Sequence, residues 1–148
     1  MHKLFLVIDP NEADGTRTVK QLTTVIPVSE ATWVPSAETA LALLESQRLV
    51  PSLIFSALEL PGMTGLELLG EIRLRRWLER APVAILSELA SDRQIIASYR
   101  LGACAFLAKP VRPHELREAV RDFGIPAVQL SAGGVVEPQA PSLARSAA

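Results

Sequence analysis

Residues 53–65 read LIFSALELPGMTG and join a strand pattern to a helix pattern. The run LIF is apolar and has the character of a buried parallel strand. Pro61 and the glycine after it interrupt this run, and a helical pattern begins at Gly65. Open α/β sheets place their chemistry at the carboxyl ends of strands, where a charged or reactive side chain is expected. This strand ends in Ser-Ala-Leu, with Ala57 at the centre, so either the site has been lost or its working group comes from elsewhere.

Composition indicates one globular domain with enough apolar material for a core, since 49% of the 148 residues are hydrophobic and 21% are charged. The net charge of −1 gives no reason to expect nucleic acid or a membrane surface as a partner. A single cysteine, Cys104, excludes an internal disulfide and a cysteine-built metal site. No segment has the apolar length of a signal peptide or a transmembrane helix. We therefore expect a cytoplasmic protein.

Five apolar runs alternate with five helical patterns, which predicts a three-layer α/β/α sandwich around a parallel five-stranded sheet. The predicted strands are residues 4–8, 30–34, 53–55, 83–86 and 103–107. The predicted helices are residues 11–22, 36–48, 65–78, 91–101 and 113–124. Ser36 is suited to be an N-cap, and Ser91 with Gln94 forms a capping box. Gly102 is expected to end the fourth helix.

Two helices carry more specific expectations. In the first, Ala13, Val19 and Leu22 are predicted to point inward, and Gly15 weakens the helix by about 1 kcal/mol relative to alanine. Late in the third helix we expect a solvated basic side, with contact to an acidic partner as the alternative; it is made of four arginines: Arg73, Arg75, Arg76 and Arg80. Beyond Gly124 the composition shifts towards Ala, Ser, Pro and Gly. We therefore predict a folded domain over residues 1–124 and a flexible C-terminal extension over residues 125–148.

Four landmarks occur in a shared order along residues 3–123. The first strand ends at Asp9, the third leads into the loop LPGMTG at 60–65, and the fourth ends at Ser87. The fourth landmark is GACAFLAKP at 102–110. Together they resemble the receiver domain of two-component response regulators, the CheY-like family. The resemblance implies a flavodoxin-like (βα)5 fold with strand order 2-1-3-4-5.

Receivers of this family transfer a phosphoryl group onto their own aspartate. That reaction needs an acceptor carboxylate, a divalent cation held by neighbouring acids, and a lysine and a hydroxyl group that contact the phosphoryl oxygens. The resemblance assigns the lysine to Lys109 and the hydroxyl group to Ser87. It assigns the first acid to Asp9, but Pro10 stands at the second acid and Ala57 at the acceptor.

The chain therefore resembles a degenerate pseudo-receiver, with no catalytic residue, no enzymatic activity, no cofactor and no metal expected. The degenerate pocket comprises Asp9, Pro10, Ala57, Glu59, Ser87, Phe106, Lys109 and Pro110. A cation held by Asp9 and Glu59 is a weaker alternative. A phosphoacceptor at Ser56 or Thr64 is also a weaker alternative. Ser56 is one residue from position 57, and a one-residue shift turns a strand side chain to the opposite face of the sheet. Plain structural roles are also open: Lys109 can pair with Asp9, Ser87 can bond to its own turn, and Phe106 can belong to the core.

These residues favour a stand-alone atypical response regulator that works in two-component-type signalling by phosphorylation-independent protein–protein contacts. Its expected partner is a histidine kinase, an output protein or a larger signalling assembly, and a homodimer stays open. The resemblance implies an interaction face that includes Tyr99, Arg100, Phe106, Arg112 and Arg117. The alternative function is a sensor that binds a small anionic ligand in the vacated pocket, paired with Lys109.

Overall fold

The computed structural model describes residues 3–27 and 29–124, and the predicted extension over residues 125–148 lies outside them. The strands are β1 (Lys3–Ile8), β2 (Ser29–Val34), β3 (Leu53–Ala57), β4 (Val83–Ser87) and β5 (Ala105–Ala108). The helices are α1 (Glu12–Val25), α2 (Ala37–Gln47), α3 (Gly65–Leu74), α4 (Asp92–Arg100) and α5 (Pro113–Ala119). A short 3-10 helix, Arg76–Leu78, follows α3, and a π-helical turn, Val120–Gly124, follows α5.

All strand pairs are parallel, and the order across the sheet is β2-β1-β3-β4-β5. The strands read as unbroken apolar runs because each central strand is covered on both faces. Phe5 and Val7 pack in a cluster with Leu22 of α1 and Leu116 of α5. Leu6 and Ile8 join the opposite cluster, which includes residues of α2 and α3. The predicted three-layer sandwich and its strand order are confirmed.

The helix starts also agree with the sequence pattern. The Ser36 side chain accepts a hydrogen bond from the backbone N–H of Thr39, and Ser91 and Gln94 form the predicted capping box. Gly102 adopts a φ of 102°, a left-handed conformation that ends the fourth helical segment at low cost for glycine. The loops that follow the strands lie at the same edge of the sheet because all the strands run parallel.

Three expectations about helices were wrong, and the first two concern Ala13 and the length of α3. Ala13 is exposed, and the buried positions of α1 are Gly15, Thr18 and Leu22. Ala13 lies two residues before the first of these, which puts it on the other side of a helix with 3.6 residues per turn. In addition, α3 ends at Leu74 rather than continuing to residue 78, because the chain takes an extended conformation before the 3-10 helix.

Arg73 is not part of a solvated basic side. Its guanidinium is half-buried and donates to the carbonyl oxygens of Leu78, Ala81 and Gly102 at 3.3, 2.8 and 2.9 Å. Burial lowers the pKa of Arg73, but arginine remains protonated in proteins and keeps all its donors. The side chain therefore ties the end of α3 to the turns that precede β4 and β5.

Gly15 is required by its neighbour Trp33, whose indole Nε1 donates to the carbonyl oxygen of Asp9 at 2.9 Å. A Cβ atom at Gly15 would lie 2.1 Å from Cδ1 of that ring. We predict that Gly15→Ala destabilises the domain by roughly 1–3 kcal/mol through overpacking, although alanine is the better helix former. Urea unfolding measures the change.

The matched control for this prediction is the double variant Gly15→Ala/Trp33→Leu. Alanine should cost much less beside leucine than beside tryptophan, because the ring that it meets has been removed. If Gly15→Ala alone were as stable as the parent protein, the close contact would not limit packing at this position.

Candidate functional site

The loops after the parallel strands border a cleft of about 220 Å³ at the carboxyl edge of the sheet. Its lining residues come from the ends of β1, β3 and β4, from the start of α1 and from the loop after β5. They are Asp9, Pro10, Asn11, Asp14, Ala57, Glu59, Leu86, Ser87, Glu88 and Lys109. This is where a parallel sheet of this type places its chemistry, and most of the predicted pocket residues meet here.

Asp9 and Lys109 form a buried ion pair at the centre of the cleft. Asp9 is only 1% exposed, and its Oδ2 lies 2.6 Å from Nζ of Lys109, which is itself 14% exposed. The other carboxylate oxygen, Oδ1, accepts the backbone N–H of Asn11 at 2.9 Å. The backbone N–H of Lys109 donates to the carbonyl oxygen of Ser87 at 2.9 Å. The predicted pairing of Lys109 with Asp9 is therefore confirmed.

A second carboxylate near Lys109 was missed by sequence reasoning. Asp14, in the first turn of α1, places its Oδ2 at 3.5 Å from Nζ of Lys109. An acidic residue in a first helical turn is ordinarily explained by the helix dipole, so the sequence offered no reason to assign it to the cleft. The charge of Lys109 is thus shared by two carboxylates: Asp9, at the end of β1, and Asp14, at the start of α1.

Ala57 ends β3 and places a methyl group in the cleft lining, with 3% of the residue exposed. Its neighbour Ser56 is fully buried, and its Oγ donates to the carbonyl oxygen of Ala57 at 3.0 Å. Thr64 is the N-cap of α3, where its side chain accepts from the backbone N–H of Glu67. Neither Ser56 nor Thr64 lines the cleft, so neither hydroxyl group replaces a carboxylate there.

The remaining pocket residues have local structural partners. The Oγ of Ser87 donates to the carbonyl oxygen of Leu89 at 3.1 Å and accepts the backbone N–H of Leu89 at 3.3 Å. Phe106 is 9% exposed and packs in the core cluster beside α2, α3 and α4. Pro110 follows a cis peptide bond after Lys109 and lines a neighbouring cavity.

The donor set does not suit the divalent cation that the resemblance implies. Pro10 has no ligand atom in its side chain, and Asp9 is already paired with Lys109. Glu59 lines the cleft but is exposed. Within residues 3–27 and 29–124, no group of three or more His, Cys, Asp or Glu side chains is arranged to hold a metal ion. The side chains of this cleft therefore do not fit the divalent cation of the family.

The charges around the cleft also bear on the alternative of an anionic ligand. Four carboxylates, Asp9, Asp14, Glu59 and Glu88, face a single lysine in the lining. Lys109 lies between two of them and has little charge to offer an incoming anion. Anion binding in this cleft stays a prediction, but the excess of carboxylates over cationic side chains in the lining disfavours it.

The residues of the predicted interaction face differ in exposure in the structure. Arg100 and Arg112 are exposed, whereas Tyr99 is partly buried against the core and Phe106 lies within it. Arg117 lines a groove between α1 and α5. Two exposed apolar side chains lie in and just before α4: Leu89 is 83% exposed and Ile96 is 51% exposed.

The family model described as the response regulator receiver domain matches residues 5–121. The chain belongs to this family. The receiver domain's strand order and the position of its cleft agree with that membership. Among the helices of the described chain, none has the length and apolar character needed to cross a bilayer.

Two relatives with regulatory names match this chain to different shares of their own length. Response regulator Rcp1 of Synechocystis is 30% identical over 112 residues, which cover 72% of this chain and 76% of Rcp1. A positive alginate biosynthesis regulatory protein of Pseudomonas aeruginosa is 33% identical over 102 residues. That match covers 66% of this chain and 39% of the Pseudomonas protein, so the receiver domain spans well under half of that relative.

Solved structures carry the same fold. Chemotaxis protein CheY4 of Vibrio cholerae has a TM-score of 0.75 at 21% identity, covering 83% of this chain and 99% of CheY4. The bacteriophytochrome response regulator AtBRR has a TM-score of 0.72 at 26% identity, covering 84% of this chain and 94% of AtBRR. At 21% identity, the likeness to CheY4 supports the fold alone.

Proposed function

We propose that this receiver domain works in two-component-type signalling as a pseudo-receiver, through protein–protein contacts that do not depend on its phosphorylation. The observation that carries the proposal is the methyl group of Ala57 at the tip of β3, in the cleft lining. The resemblance puts the acceptor carboxylate at this position, and a methyl group cannot form an acyl phosphate. Pro10 removes a second functional group from the same cleft.

The contacts of Lys109 support a cleft that is complete without a phosphoryl group. In a phosphorylatable receiver the lysine offsets the negative charge of the incoming group. Here Asp9 and Asp14 already supply the balancing negative charge. The hydroxyl group of Ser87 is likewise committed to the turn at Leu89. The proposal is therefore that the domain holds one charge-compensated arrangement, which a partner binds directly.

The partner in this proposal is a histidine kinase, an output protein or a larger signalling assembly, and the domain acts as a binding module rather than an enzyme. Two relatives, Rcp1 and the alginate regulator, carry regulatory names that support a signalling role. The exposed side chains around α4, including Leu89, Ile96 and Arg100, offer apolar and cationic contact area. A homodimer through the same surface remains the second form of this proposal.

The proposal predicts a silent phosphorylation site. After acetyl phosphate treatment the intact mass of the protein should be unchanged. In amide NMR spectra, Mg²⁺ followed by beryllofluoride, a mimic of aspartyl phosphate, should leave the resonances of Asp9, Ala57, Ser87 and Lys109 in place. The reason is that alanine stands where the resemblance puts the acceptor, and that the described residues hold no group of side chains suited to a metal ion.

The matched control is the double variant Pro10→Asp/Ala57→Asp, which restores both missing carboxylates to the cleft. It should bind Mg²⁺ and respond to beryllofluoride under the same conditions, since Asp9, the two new aspartates and Lys109 would then surround one position. A phosphorylated parent protein, or a beryllofluoride response at Ala57 in the parent, would contradict the proposal.

A further inference from the structure

A groove of about 300 Å³ runs between α1 and α5, on the side of the sheet away from α3. It is lined by Arg17, Lys20, Gln21, Thr24, Val25, Pro113 and Arg117. Three of these side chains are cationic and none is acidic. Because the whole chain has a net charge of −1, this positive charge is a local feature of the groove and not of the protein.

The groove cations are largely uncompensated. Arg17 has an exposed pairing with Asp14 at 3.4 Å, and pairs of this kind contribute little in water. No carboxylate of residues 3–27 and 29–124 forms an ion pair with Lys20 or Arg117, and both side chains are exposed. Val25 and Pro113 add apolar surface between them. An apolar centre with a polar rim and enriched arginine is characteristic of protein interfaces, and this groove has two arginines beside its apolar side chains.

We propose that the groove between α1 and α5 is a docking site for an acidic segment of a partner protein, one that also presents apolar side chains. This inference deepens the proposed function and rests on it, since it names a surface for a phosphorylation-independent contact. Charge complementarity selects the occupant: acidic side chains would meet Lys20 and Arg117, while apolar side chains would cover Val25.

The surroundings of the groove define where such a segment would stop. Arg17 and Gln21 also line a second cavity of about 300 Å³, which extends to Glu88 and Lys109. That cavity opens towards the acidic cleft around Asp9, so an acidic segment would be repelled from its far end. The charge distribution therefore holds the partner over the groove and away from the cleft.

The test is an amide NMR titration with a synthetic peptide in which glutamate and leucine alternate at helical spacing. The expected result is a set of chemical-shift changes confined to Arg17, Lys20, Gln21, Thr24 and Arg117. The variant Lys20→Glu/Arg117→Glu should weaken binding at least about tenfold, a change that corresponds to 1.4 kcal/mol. The control Arg76→Glu/Arg80→Glu makes the same change in net charge at two exposed arginines that lie after α3, outside both the groove and the α4 surface, and should leave the affinity within about twofold.

Several outcomes would overturn the inference. They are the absence of binding, equal weakening by the control variant, and shifts centred on α4 or on the cleft. Inorganic phosphate that reproduces the same shifts would indicate a simple anion site instead of a protein-docking site. Self-association that Lys20→Glu/Arg117→Glu abolishes would assign the groove to a second copy of this chain. A beryllofluoride response at Ala57 would overturn the proposed function and leave the groove result standing, so the two failures are distinguishable.

Discussion

Replacing Gly65 with alanine should destabilise the domain by roughly 1–3 kcal/mol or more, because the new methyl group meets backbone that cannot rotate away. A Cβ atom at Gly65 would lie 2.3 Å from the carbonyl oxygen of Ala57 and 3.0 Å from Cα of Leu58. The backbone N–H of Gly65 also donates to the carbonyl oxygen of Leu58 at 2.8 Å. The start of α3 is thus pressed directly against the end of β3.

The measurement is urea unfolding, with the amide resonances of Ala57 and Asp9 as a second readout. Those resonances should shift in Gly65→Ala, since moving α3 away from β3 moves one wall of the cleft.

Gly70 provides a matched control on the same helix, because a Cβ atom there would have no neighbour within 4 Å. Gly70→Ala should stabilise the domain by about 0.5–1 kcal/mol through helix propensity alone. Equal stability of Gly65→Ala and the parent protein would show that α3 can withdraw from β3 at no cost, contrary to this account.

The second large effect is expected at Lys109. Lys109→Met leaves the carboxylate of Asp9, 1% exposed, without its cation. Breaking a buried ion pair by removing one partner costs about 3–5 kcal/mol, and because Lys109 keeps some solvent contact we expect roughly 2–4 kcal/mol here. Urea unfolding at neutral pH gives the change in the free energy of unfolding.

A double-mutant cycle separates the pair from general damage to the cleft. Asp9→Asn/Lys109→Met should be less destabilised than the sum of its single variants, since the second change removes the orphaned charge. Asp14→Asn should cost less than about 1 kcal/mol, because Asp14 is partly exposed and its distance to Nζ is 3.5 Å. Strict additivity of Asp9→Asn and Lys109→Met would contradict a buried ion pair.

The fold could be predicted because its determinants are local in the chain. A central strand that is covered on both faces is mostly apolar, so β1, β3 and β4 are visible as apolar runs, with Ser56 and Ser87 as the buried polar residues of β3 and β4. The N-caps at Ser36 and Ser91 satisfy backbone groups only three residues away. The resemblance then supplied the order of the strands, and the positions of Asp9, Ala57, Ser87 and Lys109 at one edge of the sheet followed from it.

By itself, then, the sequence determined the layers of this domain, its helix starts and the presence of an alanine, Ala57, at the tip of β3. Only the tertiary structure decided what surrounds those positions. Arg73 finds one of its carbonyl partners 29 residues away, and Asp14 meets Lys109 across the cleft. The groove exists because α1 and α5 pack side by side at opposite ends of the chain. Periodicity shows which face of a helix is buried, but not which element lies against it, because that choice depends on contacts between residues distant in the chain.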